Sequence, residues 1–143
     1  SIPKYCPTLA RNQYHNGHPD LVPHGRFPNN AIQYSHEGVE IKASRYEKGW
    51  QGHNPEEVFL MVFVFESNGP RDGYLNIDPM PFRFKMVTGA HLEKSDWKFA
   101  GRSQDSRRTI TASVTKSGYD KMLSNWIYLS PETKSRILPA TNA

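Results

Sequence analysis

The stretch "VFLMVFVFE", residues 58–66, decides the fold of this chain. An unbroken apolar run of β-branched and aromatic residues is typical of a central strand that is covered on both faces. Residues 67–81, which follow, are rich in Gly, Pro, Asn and Asp, as turns are. Residues 82–92 then alternate apolar or aromatic side chains with basic or polar ones, as a half-buried strand does. We therefore predict a hairpin of these two strands at the centre of the core.

A strictly alternating segment, residues 38–43, precedes the central run. A period of two residues places Val39 and Ile41 on one face of a strand. It places Glu40 and Lys42 on the opposite face. We expect the apolar face to pack against the core and the charged face to carry the chemistry.

The remaining patterns are shorter and predict small elements around these strands. The predicted elements are a loop or short helix entry at 44–57, a short helix at 93–101, a strand at 109–114, one or two helical turns at 115–125 and a last strand at 126–130. Residues 1–17 show no clear period and predict an irregular entry segment, and residues 131–143 predict a loose tail. Residues 1–143 are thus predicted to form a single α/β (α+β) domain with a mixed sheet of about five strands.

Composition limits the size, location and partners of the protein. A chain of 143 residues with 36% hydrophobic content is large enough for one core and too small for two ordinary domains. The 18 basic and 14 acidic side chains give a formal charge of +4, which favours a nucleic-acid partner. The single cysteine, Cys6, cannot form an internal disulfide, and no apolar run approaches the roughly 20 residues of a membrane helix. We therefore predict a cytoplasmic protein that does not span a membrane.

Two acids and a lysine are spaced so that they can share one site. Along a strand, with a rise of about 3.3 Å per residue, Glu40 and Lys42 protrude from the same face about 7 Å apart. If residues 18–22 pair antiparallel with residues 38–42, Asp20 comes beside Glu40 on that face. The spacing therefore predicts that two carboxylates and one ammonium group converge.

Such a site contains the groups that phosphodiester cleavage needs. Together with the backbone carbonyl of Ile41, Asp20 and Glu40 would form an oxygen cage suited to Mg²⁺, for which Mn²⁺ can substitute. A bound ion lowers the pKa of a water ligand and neutralises phosphate oxygens. The Lys42 ammonium can orient that water or offset developing charge. We therefore predict Asp20, Glu40 and Lys42 as the catalytic residues.

The order of these motifs resembles a known nuclease family. The Pro-Asp step at 19–20, the Glu-Ile-Lys step at 40–42 and the apolar strand after them resemble the PD-(D/E)xK nuclease superfamily. The longer pattern, over most of residues 16–130, is similar to restriction-endonuclease-like domains of bacteria and phages. Members of that family often carry a further acid on a helix before the Pro-Asp step, whereas residues 1–17 contain no acid.

The resemblance implies both a fold and a site. The fold would be a restriction-endonuclease-like core, which is a mixed sheet flanked by helices. Asp20 and Glu40 would be the metal ligands, and Lys42 would be the catalytic lysine. The substrate would be double-stranded DNA.

Residues after the Glu-Ile-Lys motif are candidates for contacts with DNA. Basic side chains bind phosphate, and aromatic ones such as Tyr46 and Trp50 can stack or pack beside it. The candidate DNA-binding residues are Ser44, Arg45, Lys48, Gln51, His53 and Arg102. Arg107 and Arg108 lie in the same polar segment as Arg102 and can clamp the DNA backbone. Surface solubility explains these basic residues about as well.

Simpler interpretations of the same residues stay open. Asp20 can be a turn residue after proline, and Glu40 with Lys42 can be a solvated pair on an exposed strand face. A zinc site is a second alternative, because potential ligands cluster near the N-terminus, although their spacing fits no usual module. These potential zinc ligands are Cys6, His15, His18 and His24. The large aromatic residues predicted to lie wholly or partly in the core are Trp97, Trp126, Phe82 and Phe84.

These observations together predict a Mg²⁺-dependent DNA endonuclease of restriction type that hydrolyses phosphodiester bonds by a metal-activated water. The alternative is a non-catalytic DNA-binding module with the same fold. A third class, a structural or protein-interaction domain, would show little salt-dependent affinity for DNA. Because cleavage of both strands needs two active sites, a homodimer is expected of the endonuclease.

Overall fold

The computed structural model describes residues 1–99 and 111–138 of the chain. It is a mixed α+β structure with a six-stranded sheet, a three-stranded sheet and few helices. The strands are β1 (Leu9–Arg11), β2 (Leu21–Pro23), β3 (Val39–Ser44), β4 (Gln51–Gly52), β5 (Val58–Glu66), β6 (Arg83–Leu92), β7 (Trp97–Phe99), β8 (Ala112–Val114) and β9 (Trp126–Leu129). The α-helices are α1 (Ile2–Tyr5), α2 (Lys116–Ser124) and α3 (Pro131–Ile137), and short 3₁₀ helices span Pro28–Asn30 and Lys94–Asp96.

The large sheet has the strand order β1-β2-β3-β5-β6-β9. Strands β3 and β5 run parallel, and the other neighbouring pairs run antiparallel. The predicted hairpin is confirmed, because β5 and β6 pair from Val58 opposite Leu92 to Glu66 opposite Arg83. The mixed α+β class is confirmed as well, with six strands in this sheet rather than about five.

The core lies on one face of the large sheet. Leu60, Val62 and Val64 of β5 are fully buried there. They pack with residues of a second layer, which consists of the three-stranded sheet β4-β8-β7 and helix α2. Phe63 and Phe65, on the opposite face of β5, are only partly buried. The prediction that this strand is covered on both faces is therefore wrong, because the second layer covers one face alone.

One buried acid, Asp96, which is 2% exposed, joins segments of the second layer by hydrogen bonds. Its carboxylate accepts hydrogen bonds from the Glu93 N–H, the Ser117 hydroxyl and the Lys121 ammonium. Helix α2 begins after Thr115, whose hydroxyl oxygen accepts from the Gly118 N–H, as N-cap residues do. The predicted helical turns at 115–125 are thus confirmed, and Asp96 fixes where they dock.

Several short elements differ from the sequence-based expectation. Residues 1–17, predicted to be irregular, contain α1 and the edge strand β1. Residues 93–99, predicted to be a short helix, form one 3₁₀ turn and then β7, because Trp97–Phe99 pair with β8. The predicted loop at 44–57 contains the two-residue strand β4. Each of these strands is too short to show a period and forms because a distant segment pairs with it.

The end of the described chain is also more regular than expected. The predicted loose tail begins with helix α3, for which Ser130 is the N-cap and Pro131 the first residue. The Ser130 hydroxyl accepts a hydrogen bond from the Thr133 N–H. A serine followed by proline is a helix-start signal, so this helix could have been predicted. Residues 139–143 of that tail lie outside the described residues.

The face assignment of β3 is the reverse of the predicted one. Paired residues of neighbouring strands share a face, and Glu40 pairs with Leu60 while Lys42 pairs with Val62. The acid and the lysine therefore lie on the face that carries the core. Ile41 is partly buried on the other face. The alternation was predicted correctly, but it does not tell which face the second layer covers.

The predicted aromatic core is confirmed at one of four positions. Trp97 is buried at 6% exposure. Trp126, Phe82 and Phe84 are 38%, 57% and 43% exposed, so their prediction as core residues is wrong. Trp126 lies on the edge strand β9, and the two phenylalanines lie at the outer end of β6, where they contact each other. No helix within residues 1–99 and 111–138 is long and apolar enough to cross a membrane.

Candidate functional site

The antiparallel pairing of β2 with β3 brings Asp20 to Glu40. Leu21 lies opposite Val39, so Asp20 at the start of β2 reaches Glu40 on β3. The Asp20 N–H donates to Glu40 Oε2 at 3.2 Å. The Ile41 N–H donates to Asp20 Oδ2 at 2.9 Å. The two acids that the sequence places twenty residues apart are therefore neighbours.

Gly38 permits this close approach of the two strands. Its φ is +129°, and a Cβ built there would lie 2.1 Å from the Leu21 carbonyl oxygen and 2.7 Å from Pro19 Cγ. No side chain fits in that space, and L residues rarely adopt this backbone conformation. A glycine at position 38 is therefore a condition for the meeting of Asp20 and Glu40.

Asn12 holds the Pro-Asp step from the other side. Its buried side-chain amide donates to the Pro19 carbonyl at 3.0 Å and to the Ile32 carbonyl at 2.8 Å. The Asn12 N–H also donates to the Asp20 carbonyl at 2.9 Å. Sequence reasoning missed this residue, which lies in the segment predicted to be irregular. Asn12 thus sets the position of the backbone that carries Asp20.

Two further side chains join the acids, and sequence reasoning did not select them for this site. His18 Nδ1 lies 3.1 Å from Glu40 Oε2, and His18 Nε2 lies 3.5 Å from Glu56 Oε2. One ligand atom each of His18, Glu40 and Glu56 lie within 4.8 Å of one another. His18 lies two residues before Asp20, which is a weak sequence signal for it. Glu56 comes from the irregular segment before β5, and no pattern indicates where such an acid will lie.

The donor set differs from the predicted one. Within residues 1–99 and 111–138, His18, Glu40 and Glu56 form the grouping of three His, Cys, Asp or Glu donors close enough to hold one ion. Asp20 lies beside this grouping, with Oδ2 bound to the Ile41 N–H. The zinc alternative is not supported in the described chain, where His18 is the single member of that set found in such a grouping.

The backbone of Ile41 faces β2 and Asp20. The N–H and C=O groups of one strand residue point in the same direction. Because the Ile41 N–H is bound to Asp20, the Ile41 carbonyl also points toward the β2 side of the strand. Glu40 has a side chain that is 17% exposed, which differs from the solvated surface pair considered as the simpler interpretation.

The three carboxylates carry their charge unequally. Burial raises the pKa of Asp20, and the nearby Glu40 adds to this, against the hydrogen bond from the Ile41 N–H. Burial also raises the pKa of Glu56, with the charge of Glu40 adding to it. Burial acts in the same direction on Glu40, but the hydrogen bond from His18 and the Lys42 charge leave its pKa lowered. The positive charges of His18 and Lys42 therefore do not fully offset the negative charge of the three carboxylates.

The imidazole of His18 responds to this negative charge. Burial lowers the pKa of His18, but the hydrogen bond to Glu40 and the charges of Glu56 and Asp20 outweigh burial, and its pKa is raised. The ring also stacks on Tyr34, with the ring centroids 5.4 Å apart. His18 is thus held between two acids and one aromatic ring.

The predicted DNA-contact residues have different surroundings. The Arg45 guanidinium donates to the Ser67 carbonyl and hydroxyl and to the Asn68 carbonyl. It also lies over the Phe65 ring. Arg45 therefore fastens the loop after β5, and the prediction that it binds DNA loses its main support.

The other residues predicted to contact DNA are less engaged in contacts within the protein. Ser44 Oγ accepts from the Tyr46 N–H in a turn. Lys48, Gln51 and His53 are exposed, and the charge of His53 acts on Glu56. The remaining candidates, Arg102, Arg107 and Arg108, lie outside the described residues.

A groove of about 1360 Å³ borders the site along the N-terminal segment. Its lining includes Arg11, His15, His24, Asp20 and Ile41. This volume exceeds the roughly 300–1,000 Å³ of small-molecule sites. The groove and the carboxylate cluster meet at Asp20, whose exposed side chain belongs to both.

The arrangement can bind a cation, polarise a water and place an ammonium group beside them. Comparisons of the chain with protein-family models, with characterised proteins and with solved structures give no match. The chemistry of the site therefore rests on its own residues.

Proposed function

We propose that the chain is a divalent-metal-dependent DNA endonuclease with a restriction-endonuclease-like core. One observation carries this proposal. The pairing of β2 with β3 gathers Asp20, Glu40 and the Glu-Ile-Lys strand into one site, with hydrogen bonds between the two acidic residues and Ile41. Two acids and an amine at one point are the groups that metal-assisted phosphodiester hydrolysis requires.

The residues present fit Mg²⁺. Asp20, Glu40 and the Ile41 carbonyl are oxygen donors, as this hard ion requires. Partial burial, with the charge of Glu40 adding to it, raises the pKa of Asp20, and a divalent cation would favour the charged form of this carboxylate. When bound, Mg²⁺ would neutralise phosphate oxygens and acidify a water ligand.

The chain's own groups have distinct roles in the proposed reaction. Lys42 orients the attacking water or offsets charge on the scissile phosphate. His18 orients Glu40 through their hydrogen bond. Asn12 fixes the backbone on both sides of the Pro19–Asp20 peptide, which keeps Asp20 in register with Glu40.

Double-stranded DNA is the proposed substrate. The formal charge of +4 favours a polyanion. The groove beside Asp20 is larger than a small-molecule site, and Arg11 with two histidines lines it. Cleavage of both strands with one site per chain requires two chains, so a homodimer on DNA belongs to the proposal.

Plasmid cleavage tests the proposal directly. The purified chain should nick or linearise supercoiled DNA in Mg²⁺ or Mn²⁺ and should lose this activity in a chelator. Lys42→Ala should slow cleavage about 100-fold or more. Lys116→Ala is the matched control, because Lys116 is an exposed lysine of α2 paired with Asp120. Absence of cleavage with any divalent ion, or equal loss in both variants, would refute the proposal.

One observation favours the second candidate, a non-catalytic DNA-binding module. Glu40 Oε2 already accepts from the Asp20 N–H and lies within hydrogen-bond distance of His18, so part of its charge is compensated without a cation. Such a module would bind DNA with undiminished affinity in a chelator. It would not cleave DNA in the presence of any divalent ion. The same plasmid assay, run beside a binding assay, separates the two functions.

A further inference from the structure

One buried nitrogen of the site has no hydrogen-bond partner. His18 Nε2 is the single such side-chain nitrogen or oxygen in the described chain, and it faces Glu56 Oε2 at 3.5 Å. N–H···O hydrogen bonds span about 2.7–3.2 Å, so this separation is too long for one. A buried polar atom without a partner is costly, and a bound ion is one way to satisfy it.

The separation fits two ligands of one metal ion. Imidazole and carboxylate ligands lie about 2.0–2.2 Å from ions such as Zn²⁺, and at a tetrahedral angle two of them are about 3.4 Å apart. His18 Nε2 and Glu56 Oε2 are 3.5 Å apart. Glu40 belongs to the same grouping, with its Oε2 on the other nitrogen of the His18 ring.

The second nitrogen of the same ring supports this assignment. His18 Nδ1 lies 3.1 Å from Glu40 Oε2, where it donates its hydrogen to the carboxylate. A carboxylate on one ring nitrogen fixes the tautomer and leaves the lone pair of the other nitrogen for a metal. The Glu40–His18 pair therefore directs Nε2 toward Glu56, where an incoming ion would displace a proton on that nitrogen.

The donors are also held in place by the surrounding backbone. The His18 N–H donates to the Gln33 carbonyl at 3.0 Å, and the His18 carbonyl accepts from the Ser35 N–H at 2.9 Å. The Glu56 carbonyl accepts from Trp97 Nε1 at 2.9 Å. Ligands on a fixed backbone lose little freedom when they bind an ion.

We propose that His18 Nε2 and Glu56 bind one divalent transition ion of the Zn²⁺ class, which accepts imidazole nitrogen, and that the Glu40 carboxylate holds the His18 ring through Nδ1. This site is distinct from the all-oxygen Mg²⁺ site of Asp20, Glu40 and Ile41, although Glu40 contacts both. Imidazole suits transition ions, whereas Mg²⁺ and Ca²⁺ prefer oxygen. If the chain is the proposed endonuclease, this site gives it a second ion. Binding of the ion does not depend on that function, and only a catalytic use of the ion rests on it.

Metal binding, measured without DNA, tests this inference. The metal-stripped protein is titrated with Zn²⁺ and with Mg²⁺ by calorimetry, and with Co²⁺ by visible absorption. Zn²⁺ binds most sites more tightly than Mg²⁺, so the diagnostic result is the dependence on the donors. His18→Ala and Glu56→Gln should each weaken Zn²⁺ binding at least tenfold, and His18→Ala should change the Co²⁺ spectrum.

Two control substitutions match these variants. His24→Ala removes an exposed imidazole, and Glu57→Gln neutralises the exposed acid next to Glu56. Both should leave the Zn²⁺ affinity within about twofold of the unmodified protein. If His18→Ala fails to fold, as circular dichroism would show, the isosteric Glu56→Gln decides the test alone.

Unchanged Zn²⁺ affinity in the variants that fold would overturn the inference. The outcome is separable from that of the endonuclease proposal. Donor-dependent Zn²⁺ binding without DNA cleavage would refute the endonuclease and keep the metal site. Mg²⁺-dependent cleavage with Zn²⁺ binding indifferent to His18 and Glu56 would do the reverse.

Discussion

Two acids of the site differ in the interactions that stabilise their charged forms. Glu40 accepts from the Asp20 N–H and from His18, which leaves its pKa lowered despite burial. Glu56 faces an imidazole nitrogen at 3.5 Å without a hydrogen bond, and burial raises its pKa. Removal of the two charges should therefore have opposite effects on the stability of the metal-free protein.

Glu40→Gln and Glu56→Gln form a matched pair that tests this difference. Glu40→Gln should lower the free energy of unfolding by about 1.5–3 kcal/mol, which is typical of hydrogen bonds to charged groups. Glu56→Gln should leave it unchanged or raise it, because a disfavoured charge is removed. Urea denaturation at pH 7 with a chelator measures both. Equal destabilisation by the two substitutions would contradict this account.

Asp96 gives the fold a defined sensitivity to acid. Burial raises the pKa of Asp96, but hydrogen bonds from Lys121, the Glu93 N–H and Ser117 hold it below its ordinary value of 3.8. A lowered pKa gives stability that is fully present above that ordinary value and is lost as the pH falls below it. Asp96→Asn should cost about 2–3 kcal/mol at pH 7, and the difference from the unmodified protein should shrink below pH 3.8. Thermal melts from pH 7 to pH 2.5 measure this, and a pH-independent difference would exclude the carboxylate as its cause.

At the scale of elements, the sequence predicted those strands whose pattern is long enough to read. Strands β5 and β6 span nine and ten residues and were predicted as a hairpin. Strands β1, β4 and β7 span two or three residues and were missed. Their formation depends on partners elsewhere in the chain, such as Gln51 opposite Ser113, and local periodicity carries no information about such partners.

The residues of the candidate site, like the strands, could be selected only where the local sequence pattern is readable. Asp20, Glu40 and Lys42 could be selected because they flank or occupy strands with a readable register. Glu56 could not be selected, because it lies in an irregular segment whose path is set by contacts such as the bond from Trp97 Nε1 to its carbonyl. The burial of the charged face of β3 was also unreadable, since it depends on where the second layer packs.

The junction of β2 and β3 should be sensitive to a single methyl group. Gly38→Ala adds a Cβ about 2.1 Å from the Leu21 carbonyl oxygen at a φ of +129°. We expect a loss of at least about 2 kcal/mol in the free energy of unfolding and loss of DNA cleavage. Gly49→Ala is the control, because its φ of +71° is also positive but nothing lies within 4 Å of the added Cβ. The control should lose about 1 kcal/mol, and equal losses would show that strain, and not strand approach, governs position 38.

At the scale of the whole molecule, the site lies where the second layer meets the large sheet. β3 carries Glu40 and Lys42 on the face that the second layer partly covers, and Trp97 of that layer holds the backbone of Glu56. Glu40 and Glu56 are thereby buried enough to interact strongly with His18, while Asp20 stays exposed at the groove. The local site is acidic although the chain has a formal charge of +4. The DNA affinity that we propose would therefore come from basic groups elsewhere on the surface.

This separation predicts that DNA binding and catalysis respond to different changes. Each phosphate contact contributes a slope of about −0.9 to the dependence of log K on log salt, so about four contacts would weaken binding roughly 100-fold between 50 and 200 mM KCl. Lys42→Met should keep this slope and abolish cleavage, because the charge of Lys42 acts on the site's own acids, Asp20, Glu40 and Glu56. Fluorescence anisotropy of a labelled duplex, in a chelator to prevent cutting, measures the slope.

Arg11→Ala, in the groove beside Asp20, should reduce the salt slope by about one contact. An affinity independent of salt would remove nucleic acid as the partner and favour a protein-interaction domain.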